Sequence, residues 1–384
     1  MQTPISTQSK LPNVGTSIFS VMSQKALEHN ALNVSQGFPD FEVSSELIDL
    51  VNHYMRTGQN QYAPMPGLPQ LRNKISEKIE MLHTAIYNPE TEITITAGAT
   101  QALASAITAF VREDDEVILF EPAYDSYEPM VRLNGGQPVF VKLKYPDYRI
   151  EWEEVKKVIS SRTRMIILNT PHNPTGMVMS DEDMKTLERL IQGTRILLLS
   201  DEVYEHIVFD KRPHLSAARY PKLAERAIII SSFGKTYHTT GWKIGYAVAP
   251  EALMKEFRRI HQFQVFTVNT PIQYALAEYI NQKEKYLYLS DFYEERRDFF
   301  LNLMQGSRFD ILPTQGTYFQ LIGYKSISEE KDLDFTEKLM AINKIATIPV
   351  SVFYHDKSDD KVLRICFAKT NKVLEKAAEI LKSI

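Results

Sequence analysis

Between residues 90 and 250 the chain repeats one unit: a short apolar run, a polar or glycine-bearing cluster, then a stretch with helical spacing. The runs are Glu92–Thr96, Val117–Phe120, Gln137–Leu143, Met165–Leu168, Arg195–Leu199 and Arg226–Ile230. Several are apolar from end to end rather than alternating. That is the pattern of strands covered on both faces, and it predicts a mostly parallel sheet between two layers of helices. Helices are expected after Gln101, over Trp152–Ile159 and over Ser180–Ile191. In such a sheet the ligand crevice lies beyond the carboxyl ends of the strands. The polar clusters all follow strands, so residues distant in sequence can meet there.

A length of 384 residues allows more than one hydrophobic core. Residues 1–44 read as an irregular arm that also contributes to a small domain, interrupted by Gly37 and Pro39. Residues 45–280 read as the large domain, with helices over Ser44–Met55, Leu68–Leu82 and Pro271–Ile280. Residues 281–384 read as a smaller α+β domain. It would hold one long helix, Tyr286–Leu303, and a final helix from Asn371. Between them lie short strands at Phe309–Leu312, Gly316–Ile322, Ala346–Pro349 and Val362–Phe367, enough for an antiparallel sheet.

A net charge of −4 gives no reason to expect nucleic acid or an anionic membrane as partner. The lone cysteine, Cys366, can build neither an internal disulfide nor a cysteine metal site, and it reads as core filler. The polar start has no apolar signal core, and no apolar run approaches a membrane span, so a soluble cytoplasmic protein is expected. There is no Gly-x-Gly-x-x-Gly, which argues against a nicotinamide cofactor, and no His-x-x-x-His or His-Glu-x-x-His, so no metal is expected.

The clusters each admit more than one reading. Lys235, in Ser232-Phe233-Gly234-Lys235, can be a surface lysine, a phosphate ligand or a Schiff-base nucleophile. Ala97-Gly98-Ala99-Thr100-Gln101 can be an ordinary tight turn or a phosphate cradle at a helix start. Asp201 ends an apolar strand and can be a cap, a metal ligand or the partner of a protonated ring nitrogen. Asn173 sits between Pro171 and Pro174, as a turn former or an aimed amide. Tyr124 can pack in its loop or stack on a planar group. Arg364, inside an apolar strand, needs an anion: a structural carboxylate or that of a substrate. His172 and His238 read as structural. Pyridoxal phosphate with an amino acid satisfies all of these demands together.

These clusters also carry a resemblance. Ala97–Gln101, Asn169–Gly176, Ser200–Tyr204 and Ser232–Gly245 stand in the order and spacing of a class I/II, fold-type I pyridoxal-phosphate aminotransferase, and the likeness extends over nearly the whole chain. It implies a three-layer α/β/α large domain with a smaller α+β domain, and a ping-pong transfer of an amino group from an L-amino acid to a 2-oxo acid. Lys235 is then the Schiff-base lysine and proton shuttle. Asp201 pairs with the ring nitrogen; Asn173 and Tyr204 bond the phenolic oxygen; Tyr124 stacks on the ring. Ala99, Thr100, Gln101, Ser232 and Lys243 surround the phosphate. Arg364, helped by Asn173 and Gly37, takes the substrate carboxylate. Tyr62 resembles a tyrosine that reaches the neighbouring subunit's phosphate, which implies a homodimer with shared active sites.

Many relatives carry Arg where this chain has Lys243, a point charge in place of a fork. In this respect the chain resembles the branch of methionine aminotransferases and of glutamine or kynurenine transaminases. Tyr124, Tyr127, Phe38 and Tyr318 are expected to line an apolar side-chain pocket, suited to methionine and aromatic amino acids. A cysteine-conjugate β-lyase on the same scaffold and a non-catalytic pyridoxal-phosphate sensor module are the competing readings.

Overall fold

The computed structural model describes residues 8–384. Its centre is a seven-stranded sheet in the order Ile93–Thr96, Gly245–Val248, Ala227–Ser232, Leu197–Asp201, Thr163–Asn169, Glu116–Glu121, Gln137–Lys142. Every pairing is parallel except the two made by Gly245–Val248. The end-to-end apolar runs explain the layers. Val117, Leu119, Met165, Ile167, Leu199 and Ile228 face one core, closed by the helices Gly98–Phe110 and Glu251–Gln264. Their strand neighbours Ile118, Phe120, Ile166, Leu168, Leu198 and Ile229 face the other. Successive side chains on a strand point to opposite faces, so both sets must be apolar when helices cover both.

A four-stranded antiparallel sheet follows, in the order Ile348–Pro349, Val362–Cys366, Phe319–Gly323, Asp310–Ile311. The helices Leu289–Leu303 and Asn371–Lys382 pack on it, and Cys366 is fully buried in that core. The expected long helix is interrupted at Tyr288, giving Glu284–Leu287 and Leu289–Leu303.

The reading of residues 1–44 as irregular is corrected by an 11-residue helix, Ile18–Glu28, whose Met22 and Ala26 are buried four residues apart. Its apolar stripe is narrow and its flanks polar, so periodicity alone did not mark it. After it the chain runs along the second sheet. Leu32–Asn33 pairs in parallel with Ile345–Ala346, Cys366 N donates to Val34 O (2.8 Å) and Asp40 N donates to Ala368 O (3.2 Å). The helix Glu251–Gln264 and the strand Gly245–Val248 were also not anticipated; the strand is four residues long and offers no alternation. Among the described residues, no helix is long and apolar enough to cross a membrane, and no group of three or more His, Cys, Asp or Glu could hold a metal ion.

Candidate active site

The strand register sets the floor of the site. Asn169 lies opposite Asp201, and Gly245 is paired with both Thr96 and Ser232, so four polar strand ends come out on one edge. Three of them, Asn169, Asp201 and Ser232, line a cavity of about 290 Å³. Its lining carries three cations, Lys235, Lys243 and Arg364, and one carboxylate, Asp201.

At one end the helix Gly98–Phe110 begins with its free N–H groups aimed outward. Gly98 has φ +76°, and a Cβ there would meet the Lys243 side chain at 3.3 Å, so the turn needs glycine. Ala99, Thr100, Ser232 and Lys243 line this end. Gln101 does not. Its side chain turns back, with Oε1 accepting from Ala97 N (3.1 Å) and Nε2 donating to Ser105 Oγ (2.6 Å). At the fourth position of a helix the side chain points along the helix face toward Ser105, away from the cradle.

Asp201 is buried at the cavity floor. Burial pushes its carboxyl up to about 6, against the opposing pull of Tyr127 and of the Val203 N–H. Tyr127 Oη donates to it at 2.6 Å, and Asn169 Nδ2 donates to the Asp201 carbonyl at 2.9 Å. Asn169 Oδ1 in turn accepts from Asn173 N (2.7 Å), which aims the Asn173 amide. Neither Tyr127 as partner of Asp201 nor Asn169 as strut was recognised from sequence. The only available signal was position: a tyrosine three residues after Tyr124, and an amide on the strand end beside Asp201.

Lys235 reaches into the cavity from the short helix Phe233–Thr236. Burial lowers its amine to about 8. Its Nζ donates to Tyr318 Oη (2.7 Å) and to Gly37 O (3.2 Å).

Arg364 lies on one of the two inner strands of the second sheet and is fully buried. Its Nη1 donates to Asn173 Oδ1 (2.7 Å), its Nη2 to Ser35 O (3.2 Å), and the guanidinium sits 3.9 Å from the Phe319 ring centroid. Arg364 Nε has no partner among the described residues. A buried guanidinium with a free N–H and aromatic walls is unfinished without an anion.

Tyr124, Tyr127, Tyr204, Asn173 and Gly37 line the cavity. Phe38 does not, being 46% exposed beside Lys369, and Tyr318 stands behind Lys235 rather than on the wall. Phe19, from the unanticipated helix, and Phe319 take those places. Tyr62 lies outside, 82% exposed and edge-on to Phe266. His172 bonds Thr175 Oγ1 and His238 packs against Phe41 and Phe292, both outside the cavity lining.

Residues 29–381 match the family model "Aminotransferase class I and II". This chain belongs to the class I and II aminotransferases. It is 47% identical over 382 residues to the methionine aminotransferase of Escherichia coli (strain K12), covering 99% of each chain. It is 32% identical over 393 residues to human kynurenine–oxoglutarate transaminase 1, covering 93% of each. The crystal structure of an E. coli protein with a methionine aminotransferase function superposes with a TM-score of 0.97 at 47% identity, over 99% of this chain and all of that one. The fold is that of the fold-type I enzymes, and the cofactor of the family, pyridoxal 5′-phosphate, is the cofactor of this aminotransferase. The cavity fits it: a helix N-terminus beside Lys243 suits the phosphate, a buried carboxylate suits a protonated ring nitrogen, and a lysine of lowered pKa reaches into the same cavity.

Proposed function

We propose that this aminotransferase acts on methionine and on other neutral or aromatic L-amino acids, with a 2-oxo acid as acceptor. One observation carries the substrate class. The three lining cations are taken by the reaction centre, the phosphate end and the α-carboxylate site, which leaves none for a second substrate carboxylate. The side chain instead meets Phe19, Tyr124 and Phe319, rings that suit a thioether or another ring. The likeness to a methionine aminotransferase supports the same reading.

Ala99, Thr100, Ser232 and Lys243 would hold the phosphate, Asp201 the ring nitrogen, Asn173 and Tyr204 the phenolic oxygen, and Tyr124 the ring face. When bound, pyridoxal 5′-phosphate supplies the carbonyl that takes up the amino group and the ring that withdraws electrons from the substrate carbon. The protein's part is positioning and proton transfer. Arg364 fixes the α-carboxylate, and Asn173 Oδ1 and the Phe319 face keep the guanidinium in place. The Lys235 amine removes the α-proton and returns one. Its lowered pKa keeps a useful share of it neutral near pH 7. Ping-pong kinetics follow from two half-reactions in one site.

Replacing Arg364 by Met keeps the bulk but removes two charge-assisted bonds to the carboxylate. We expect Arg364→Met to raise KM for methionine by about 100-fold. Initial rates over a methionine series measure it; an unchanged KM would assign the carboxylate elsewhere.

We also infer a homodimer in the cytoplasm. Tyr62 and Phe266 form an exposed aromatic pair, and Phe263 nearby in sequence is 87% exposed, a surface suited to a second copy whose phosphate Tyr62 would reach.

The test of substrate class mixes loaded enzyme with single amino acids, without acceptor, and measures 2-oxo acid released per site. Methionine and phenylalanine are expected to react fastest. Rapid turnover of aspartate with poor turnover of both would sink the reading. Continuous pyruvate release from a cysteine conjugate under the same conditions would make the enzyme a β-lyase instead.

A further inference from the structure

We propose that Tyr318 is a positioning residue for Lys235: its phenol oxygen and the carbonyl oxygen of Gly37 hold the two N–H bonds of the neutral amine, so that the nitrogen lone pair faces the cavity.

Three atoms form the device. Lys235 Nζ lies 2.7 Å from Tyr318 Oη and 3.2 Å from Gly37 O, and Tyr318 Oη donates its own proton to Gly37 O at 2.6 Å. Tyr318 can therefore only accept from the lysine. A neutral amine has two N–H bonds and one lone pair. Seen from Nζ the two oxygens stand only about 50° apart, against about 107° between two N–H bonds, so the N–H bonds straddle the pair and the remaining tetrahedral position, on the other side, carries the lone pair that a base needs.

Each acceptor is held firmly. Tyr318 is fully buried, with ring centroids at 5.2 Å from Tyr204, 5.6 Å from Tyr293 and 4.9 Å from Phe319. Gly37 approaches so closely that a Cβ would stand 2.8 Å from the Phe319 ring. The segment around it is tied to the second sheet through Val34 and Asp40. Three separate stretches of chain thus converge on one nitrogen. The charged and titratable groups facing Lys235 are Asp201, Arg364, Lys243, Cys366 and Tyr204, and none of them hydrogen-bonds Nζ among the described residues.

Acceptor oxygens stabilise an ammonium more than an amine, so removing one lowers the amine pKa further. The inference rests on Lys235 being the working lysine. The experiment reads the Lys235 amine itself, in cofactor-free protein, so failure of the one is distinguishable from failure of the other. Competitive acetylation across pH, with the Lys235 peptide quantified by mass spectrometry, gives the ionisation midpoint. Tyr318→Phe is expected to move that midpoint down by about one pH unit. In the loaded enzyme it is expected to lower kcat by about 10-fold with little change in KM. Tyr293→Phe removes a neighbouring hydroxyl that has no partner among the described residues, and should leave the midpoint in place. A midpoint unmoved by Tyr318→Phe, or moved equally by Tyr293→Phe, overturns the proposal. Should Tyr318→Phe fail to fold, Tyr318→Gln keeps an acceptor oxygen and is expected to hold the midpoint within about half a unit; a larger shift overturns it.

Discussion

Lys235→Ala is expected to fold and to lose at least about 10⁴-fold in kcat, since it removes both the nucleophile and the proton carrier. No other side chain can substitute. Lys243 lies against Gly98 at the phosphate end, and Tyr318 holds the lysine without reaching the cavity itself. Single-turnover release of 2-oxo acid from methionine measures the loss. Added methylamine should restore part of the rate, because the pocket keeps room for a small amine. The same variant carries a stability signature. The folded amine titrates near 8 against an ordinary value of 10.5, so the unfolded chain binds more protons between those values and wild-type stability rises with pH across that window. Below it the buried ammonium costs the cofactor-free protein about 3 kcal/mol. Cofactor-free Lys235→Ala should therefore gain stability relative to wild type at pH 7, and this gain should shrink toward pH 10. A pH-independent difference in denaturant midpoint would show that the amine is not strained by burial.

Asp201→Asn should separate stability from activity in the opposite titration. Its folded carboxyl titrates near 6 against an ordinary 3.8, so the folded state holds a proton that the unfolded state has released. Wild-type stability then falls as pH rises through that window, and the full penalty, about 3 kcal/mol, applies above it. Asparagine keeps an acceptor for Tyr127 Oη without the charge. Cofactor-free Asp201→Asn is expected to melt above wild type at pH 7 and to converge with it near pH 4. Its kcat should fall by at least about 100-fold, because the buried negative charge that would hold the ring nitrogen protonated is gone. Equal melting at pH 7 would mean that the carboxylate is not penalised in the fold. Near-normal kcat would remove Asp201 from the chemistry. A stabilised and inactive variant is the pattern of a residue kept for function at the expense of stability.

The layered sheet was legible because strands buried on both faces must be apolar throughout, as Ile118 with Leu119 and Ile166 with Ile167 are. The residues that carry charge into the crevice were legible for the complementary reason. Asp201 and Arg364 stand in apolar runs where an unpaired charge is untenable, so each advertised a missing partner. Less legible were parts whose role depends on what lies across the chain. Phe19 sits on a helix with a narrow apolar stripe, and nothing local says that its ring reaches the Arg364 site. Gln101 belongs to the cradle motif, yet its amide prefers Ser105 and Ala97, a choice made by helix geometry.

By itself, then, the sequence determined most of the alternation of strands and helices, the mostly parallel character of the sheet and the identity of the charged residues, because burial preference and periodicity are local properties. Only the tertiary structure decided that Tyr127 serves Asp201, that Asn169 braces Asn173, and that Gly37 and Tyr318 meet on Lys235. Those are hydrogen bonds between side chains and backbone brought together by sheet register and by the docking of the second sheet. Their distances, on which the chemistry depends, have no counterpart in sequence spacing.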